Sequence, residues 1–212
     1  MIEKIINKKN VIILSGMLAL ILILFYPVIF TGKTFGSPDS LNPQGANIIL
    51  QEMKKQDSEF PLWQPWVFSG MPSAEAFTNI SNLYFPEYFF KIFFLSGMLI
   101  QLFHLLFAGI GCFFLLKYFK CSDFASLLGS TGFMITPYMV TMVVFGHGSQ
   151  MMTVAYIPWI LYAINNLSRN TSLRNAFVLA LLIGLQLQRG HVQIAYYSWM
   201  LFGAYFLYHD CY

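Results

Sequence analysis

The sequence predicts an all-α membrane protein: a polytopic transmembrane helical bundle of about six spans, with a folded outer loop carrying a short amphipathic helix. Three observations predict it. The 212 residues are 57% hydrophobic and only 10% charged, against roughly 25% charged in a soluble domain. Apolar runs near the length of about 20 residues that a spanning helix needs recur along the chain. Lys and Arg in the short connections alternate in the way that sets orientation in a bilayer. The formal net charge of +3 comes from twelve Lys and Arg that form no run or stripe, which excludes a nucleic-acid partner. Cys112, Cys121 and Cys211 are too few and too scattered for a disulfide framework or a CxxC metal site.

Residues 1–10 form a basic tail with Lys4, Lys8 and Lys9. The first apolar run, Val11 to Phe30, is longer than a secretory h-region and lacks a small-x-small site, so it reads as an uncleaved signal anchor. Residues 31–87 form a loop, and residues 88–212 a transmembrane helical region. Within that region apolar runs extend from Tyr88 to Leu116, Phe124 to Val144, Met151 to Leu167, Ala176 to Gln188 and His191 to Tyr208. The run from Ala176 is short and needs flanking residues or tilt to span. Lys4, Lys8 and Lys9, then Lys117 and Lys120, then Arg169 and Arg174 share one side, whereas Phe145 to Gln150 carries no positive charge. The N-terminus is therefore read as cytosolic, with the 31–87 loop and the turns at His147 and Arg189–His191 on the outer face.

The loop is too rich in aromatics and prolines for a disordered linker. Asn42-Pro43 reads as a helix cap followed by Pro at the first helical position. Ile48, Ile49 and Met53 then give a short amphipathic helix ending at Lys54-Lys55, suited to the membrane surface. Between Phe60 and Pro72 three prolines block regular secondary structure, while Trp63 and Trp66 suit the lipid interface.

Few residues in this composition can carry chemistry. Asp39, in Gly36-Ser-Pro-Asp-Ser40, is either an ordinary turn or cap residue or a general base at the mouth of a membrane cavity. His147, between Gly146 and Gly148, is either a polar turn residue or a donor to a phosphate. Gln186, Gln188, Arg189, His191 and Gln193 form the densest polar cluster in an apolar region, where ionisable groups serve function by default. Arg189 breaks the positive-inside pattern, and its guanidinium suits an anionic headgroup. The segments Gly146-His147…Gln150…Tyr156…Trp159 and Gly190-His191…Gln193…Tyr196…Trp199 echo one another, with different internal spacings. No second His stands at helical ligand spacing, so no metal site is assigned and no cofactor predicted. A divalent cation at Asp39 or Glu75 stays open.

Taken in order, Asp39, Pro61-Leu-Trp63 through Phe68-Ser-Gly-Met-Pro72, Tyr84-Phe-Pro86, Gly146-His147 with Pro158-Trp159, and Gly190-His191-Val-Gln193 with Tyr196-Tyr197 resemble the YfhO family. These are bacterial polytopic membrane proteins similar to GT-C-type glycosyltransferases. Such proteins are longer and carry more spans, so by this resemblance the chain corresponds to an N-terminal portion. The resemblance implies an inverting transferase of the bacterial inner membrane, a polyprenyl-phosphate sugar donor and a cell-envelope acceptor. It implies Asp39 as general base, with Arg189 and His147 or His191 at the lipid phosphate and Gln193, Trp63 and Trp66 lining the substrate. Two other classes compete: a lipid or lipid-linked sugar transporter, which would place polar groups near the midplane, and a non-enzymatic membrane subunit that docks a partner through Trp63, Trp66 and Phe68. Convergence of Asp39, Arg189 and the two histidines discriminates among them.

Overall fold

The structure, a computed structural model, describes residues 8–58, 61–66, 69–73, 84–93 and 96–211, apart from the side chains of residues 38, 40, 42–44, 47 and 209–211. Glu75 and Phe68 lie outside the described residues, as does the Cys211 side chain. Helices α1 (Lys8–Leu24), α2 (Tyr26–Phe30) and α3 (Pro38–Asp57) are followed by a strand pair, β1 (Trp63–Gln64) and β2 (Met71–Pro72). Then come α4 (Phe85–Ile92), α5 (Gly97–Tyr118), α6 (Asp123–Met134), α7 (Pro137–Val144), α8 (Gly148–Val154), α9 (Ile157–Arg169), α10 (Leu173–Gln188) and α11 (Val192–Cys211). The fold class is all-α, as the composition predicts.

The division into spans differs from the sequence reading. Among the described residues, two helical stretches are long and apolar enough to cross a membrane, Gly97–Tyr118 and Asp123–Val144, while Leu173–Gln188 is apolar but shorter. Three expected runs are broken where a proline starts a new helix. Pro27 follows the interruption at Phe25, Pro137 follows the Thr136 cap, and Pro158 follows Tyr156. Proline has no N–H to give and clashes with the preceding turn, so it is tolerated at a first helical turn and breaks an interior. The Tyr88 to Leu116 run is also divided: α4 ends at Ile92, and α5 starts anew where the Ser96 hydroxyl accepts from Leu99 N at 3.3 Å. Hydropathy is blind to such breaks because both pieces are apolar.

The 31–87 segment corrects two further expectations. The amphipathic helix starts at Pro38 under a Ser37 cap, five residues before Pro43, and puts Asp39 in its first turn. Lys54 and Lys55 lie in its last turn as expected, the arrangement the helix dipole favours. The proline-rich stretch does form regular structure, an antiparallel pair with Trp63 opposite Pro72 and Gln64 opposite Met71. Pro72 fits because a two-stranded ribbon has only edges. Gly70 (φ +118) lies under the Trp63 indole, where a Cβ would come within 2.7 Å of the ring.

Helix α5 is the centre, packed against α1, α6, α8 and α9, while α10 and α11 close on α8 and α9. Its buried face includes Leu105, Ala108 and Phe113. Two glycines permit this. Gly109 faces Met17 and Met134, and a Cβ on Gly111 would fall 2.5 Å from Trp159 Nε1. The same indole N–H donates to Phe107 O at 2.8 Å, so the ring cannot withdraw without losing a hydrogen bond. Gly111→Val is therefore expected to cost about 1–3 kcal/mol through overpacking, read as a lower unfolding temperature in detergent. Gly97→Ala, with open space around it, should leave that temperature unchanged; equal losses in both variants would show that the Trp159 contact is not the cause.

Candidate functional site

The two Gly-His segments are built alike. Gly146 (φ +89) follows the last residue of α7's cap, Phe145, and Gly190 (φ +76) follows Arg189, the cap of α10. Both glycines sit where a helix ends in a left-handed residue, a conformation that costs glycine least. In each case the next residue is a histidine that opens the following helix: His147 O accepts from Gln150 N and Met151 N, and His191 O accepts from Ala195 N. The unequal spacings further along matter little to this shared turn.

One close contact joins the first turn to α3. His147 Nε2 lies 3.3 Å from Asp39 Oδ2, with the two side chains 43% and 58% exposed. Asp39 is held at the N-terminal turn of α3, where the helix dipole favours a carboxylate. His147 acts on His191 electrostatically, and α8 and α11, which the two histidines open, pack against each other. Burial pulls the His191 pKa below its ordinary value, and His147 adds to the fall. The His191 Nδ1 is buried without a hydrogen-bond partner.

Arg189 caps α10, two residues before His191. Its guanidinium lies over the Tyr84 ring at 4.3 Å, a cation–π stack, and its Nε is buried with no hydrogen-bond partner. Burial pulls its pKa down, opposed by Tyr84, Glu87 and Tyr156 in that order. Among the described residues no carboxylate forms a salt bridge with it. Tyr84 is itself fixed: its hydroxyl lies 2.8 Å from His104 Nε2 and 2.5 Å from the Tyr156 hydroxyl, and His104 Nδ1 donates to Ile100 O at 2.7 Å. Two glutamines hold the surrounding helices. Gln188 Oε1 accepts from Phe85 N at 3.1 Å, capping α4. Gln186, fully buried, donates to Thr153 O and Ser198 Oγ and accepts from Trp199 Nε1 at 2.9 Å, binding α10 to α8 and α11.

The other expected residues stand apart. Gln193 donates to the Tyr197 hydroxyl at 3.1 Å on the exposed side of α11. Trp63 packs on Gly70, and among the described residues neither it nor Trp66 has a hydrogen bond or ring contact with Asp39, His147 or Arg189. Among the described residues no three of His, Cys, Asp and Glu gather as a metal site. A cavity of about 130 Å³ bounded by Trp159, Asn166, Arg174 and Asn175 opens at the other end of α10. An apolar groove of about 400 Å³ runs between α1 and α6. Neither touches the Asp39 cluster. Sequence reasoning quoted Tyr84 and Tyr156 within motifs but gave them no role, and it missed His104, although that histidine lies inside the apolar run of α5, where an ionisable group stands out. Compared with protein-family models, curated proteins and solved structures, the chain matches none.

Two measurements check this electrostatic picture. A double-mutant cycle on Asp39→Asn and His147→Gln should give a coupling below about 1 kcal/mol, because the pair is half-exposed and screened. A coupling indistinguishable from zero, or one well above that bound, contradicts a half-exposed contact between the two side chains. His191 is read through pH. Its folded pKa lies below its unfolded value of about 6.5, so its contribution to stability is present at neutral pH and is lost as pH falls from about 6.5 toward the folded value. Unfolding temperatures should thus drop less on acidification in His191→Asn than in the wild type, and parallel curves would refute the buried neutral histidine.

Proposed function

We propose that the protein is a multi-pass membrane glycosyltransferase-like protein of the GT-C type in the bacterial inner membrane. In this reading it has about six spans and a cytosolic N-terminus. It transfers a sugar from a polyprenyl-phosphate donor to an acceptor hydroxyl in the cell envelope, outside the membrane. The broken helices then pair as spans, α7 after α6 and α9 after α8, and the end that holds Asp39, His147, His191 and Arg189 faces outward. The observation that carries the reading is the contact between Asp39 and His147, which brings the one acidic residue of the Ser-Pro-Asp turn to the first Gly-His turn, while the second turn follows an arginine that makes no salt bridge among the described residues.

The chemistry follows from these groups. An acceptor hydroxyl hydrogen-bonded to Asp39 gives its proton to the carboxylate as its oxygen bonds to the anomeric carbon, while the bond from that carbon to the lipid phosphate oxygen breaks. The electron pair leaves with the phosphate, whose growing charge is met by Arg189 and by a histidine N–H from His191 or His147. His147 orients the base. Inversion at the anomeric carbon is the outcome of this single displacement. The gathering of the polar groups at one end of the helices favours catalysis over carriage through a midplane site.

The decisive assay incubates membranes containing the protein with a panel of labelled polyprenyl-phosphate sugars. Asp39→Asn should reduce transfer by about 10²–10⁴-fold, the usual worth of a general base, with membrane insertion unchanged. Transfer at the wild-type rate by that variant removes Asp39 from the base role.

A further inference from the structure

The Tyr84, His104 and Tyr156 cluster takes no part in the chemistry just described, yet all three side chains are buried and hydrogen-bonded to one another in series. Its hydrogen bonds have a determined direction. His104 is 1% exposed, and its Nδ1 faces the carbonyl of Ile100, which can only accept, so Nδ1 carries the proton. In a neutral ring Nε2 is then an acceptor and the Tyr84 hydroxyl donates to it. With its one proton committed, Tyr84 Oη receives from the Tyr156 hydroxyl. The chain therefore runs from Tyr156 through Tyr84 to His104 and ends on a backbone carbonyl, every member satisfied. Such a chain fixes the plane of the Tyr84 ring from both sides, at 2% exposure.

That ring is the platform for Arg189. The guanidinium Nε above it has no hydrogen-bond partner in the protein, and a planar fork of N–H donors matches two oxygens of a phosphate. The backbone is tied as firmly as the ring. Arg189 N donates to Gln186 O at 3.2 Å, Gly190 N to Leu187 O at 3.0 Å, and Gln188 caps the helix that Tyr84 begins. A long flexible side chain otherwise surrenders rotamer freedom when it binds; here that cost is met in the unliganded protein.

We propose that Tyr84, His104 and Tyr156 are positioning residues, a hydrogen-bonded brace that holds the Arg189 guanidinium preset for the phosphate of a lipid-linked substrate. The inference rests on the reading of Arg189 as the phosphate-binding residue. It assigns the brace to anion affinity through Arg189, and not to folding alone.

The test measures binding of a short-chain polyprenyl monophosphate to the detergent-solubilised full chain, with the corresponding neutral polyprenol as control. Tyr84→Phe keeps the ring under Arg189 and removes the link to His104; Tyr156→Phe removes the upstream donor. Each should weaken phosphate binding by about 3- to 30-fold, the usual range for residues acting through a network, without altering polyprenol binding. His104→Leu should do the same, and His104→Gln, whose amide oxygen can accept from Tyr84, should recover most of the affinity. In ¹⁵N-arginine spectra the Arg189 Nε–H resonance, shifted by the Tyr84 ring, should broaden or move in both Phe variants. Unchanged affinity in Tyr84→Phe and Tyr156→Phe, with affinity lost in Arg189→Ala, overturns the brace and leaves the phosphate reading standing. Unchanged affinity in Arg189→Ala overturns the phosphate reading and the brace with it. Weaker binding with a lower unfolding temperature and an unmoved Arg189 resonance assigns the cluster to folding, which also overturns the inference.

Discussion

A histidine buried inside an apolar helix must find a partner for each ring nitrogen, because an unpaired polar atom there costs as much as the hydrogen bond it lacks. His104 meets this demand once within its own helix, at Ile100 O, and once outside it, at Tyr84. The second bond decides much of the architecture. Tyr84 is the last residue before α4, so the end of the long 31–87 segment is drawn onto the central helix. Tyr156 stands at the break between α8 and α9, just ahead of Pro158, so that break is drawn to the same point. Arg189 closes over the Tyr84 ring from a third element. One buried imidazole thus gathers the loop, a hinge and a helix end.

Proline and glycine set where the chain can turn so that these groups meet. Pro27, Pro137 and Pro158 divide apolar runs into shorter helices without adding any polar residue. Gly146 and Gly190 stop helices in a left-handed conformation, and each is followed by a histidine that opens the next helix. Gly109 and Gly111 do the complementary work inside, letting α5 approach α1, α6 and α9 closely enough for Trp159 to reach a backbone carbonyl. The polar end and the apolar centre are consequences of one packing arrangement, since Gln186 and Gln188 spend their amides on α8, α11 and α4 and leave Arg189 between them without a salt bridge among the described residues.

Legibility followed the kind of signal. The all-α class, the apolar core and the short list of charged residues outside the basic connections could be read from composition and from the distribution of Lys and Arg. That list held Asp39, Arg189 and two histidines. The start of α3 at Pro38 was obscured because two prolines, Pro38 and Pro43, each made a credible first helical residue, and the strand pair because prolines argue against strands except at edges. Tyr84 and Tyr156 were invisible as partners, since an aromatic at a helix boundary in an apolar chain carries no mark of what its hydroxyl will meet. His104 was readable in principle but stood alone in its run.

By itself the sequence determined the helical class, the scarcity of charge, and the glycines that make the two histidine turns alike, because these depend on residue type and local backbone preference. Only the tertiary structure decided that Asp39 pairs with His147, that Arg189 rests on Tyr84, and that Tyr84 is tied to His104 and Tyr156. Those choices are contacts between residues far apart in the chain, and they are set by how helices broken at prolines and narrowed at glycines pack around one buried histidine.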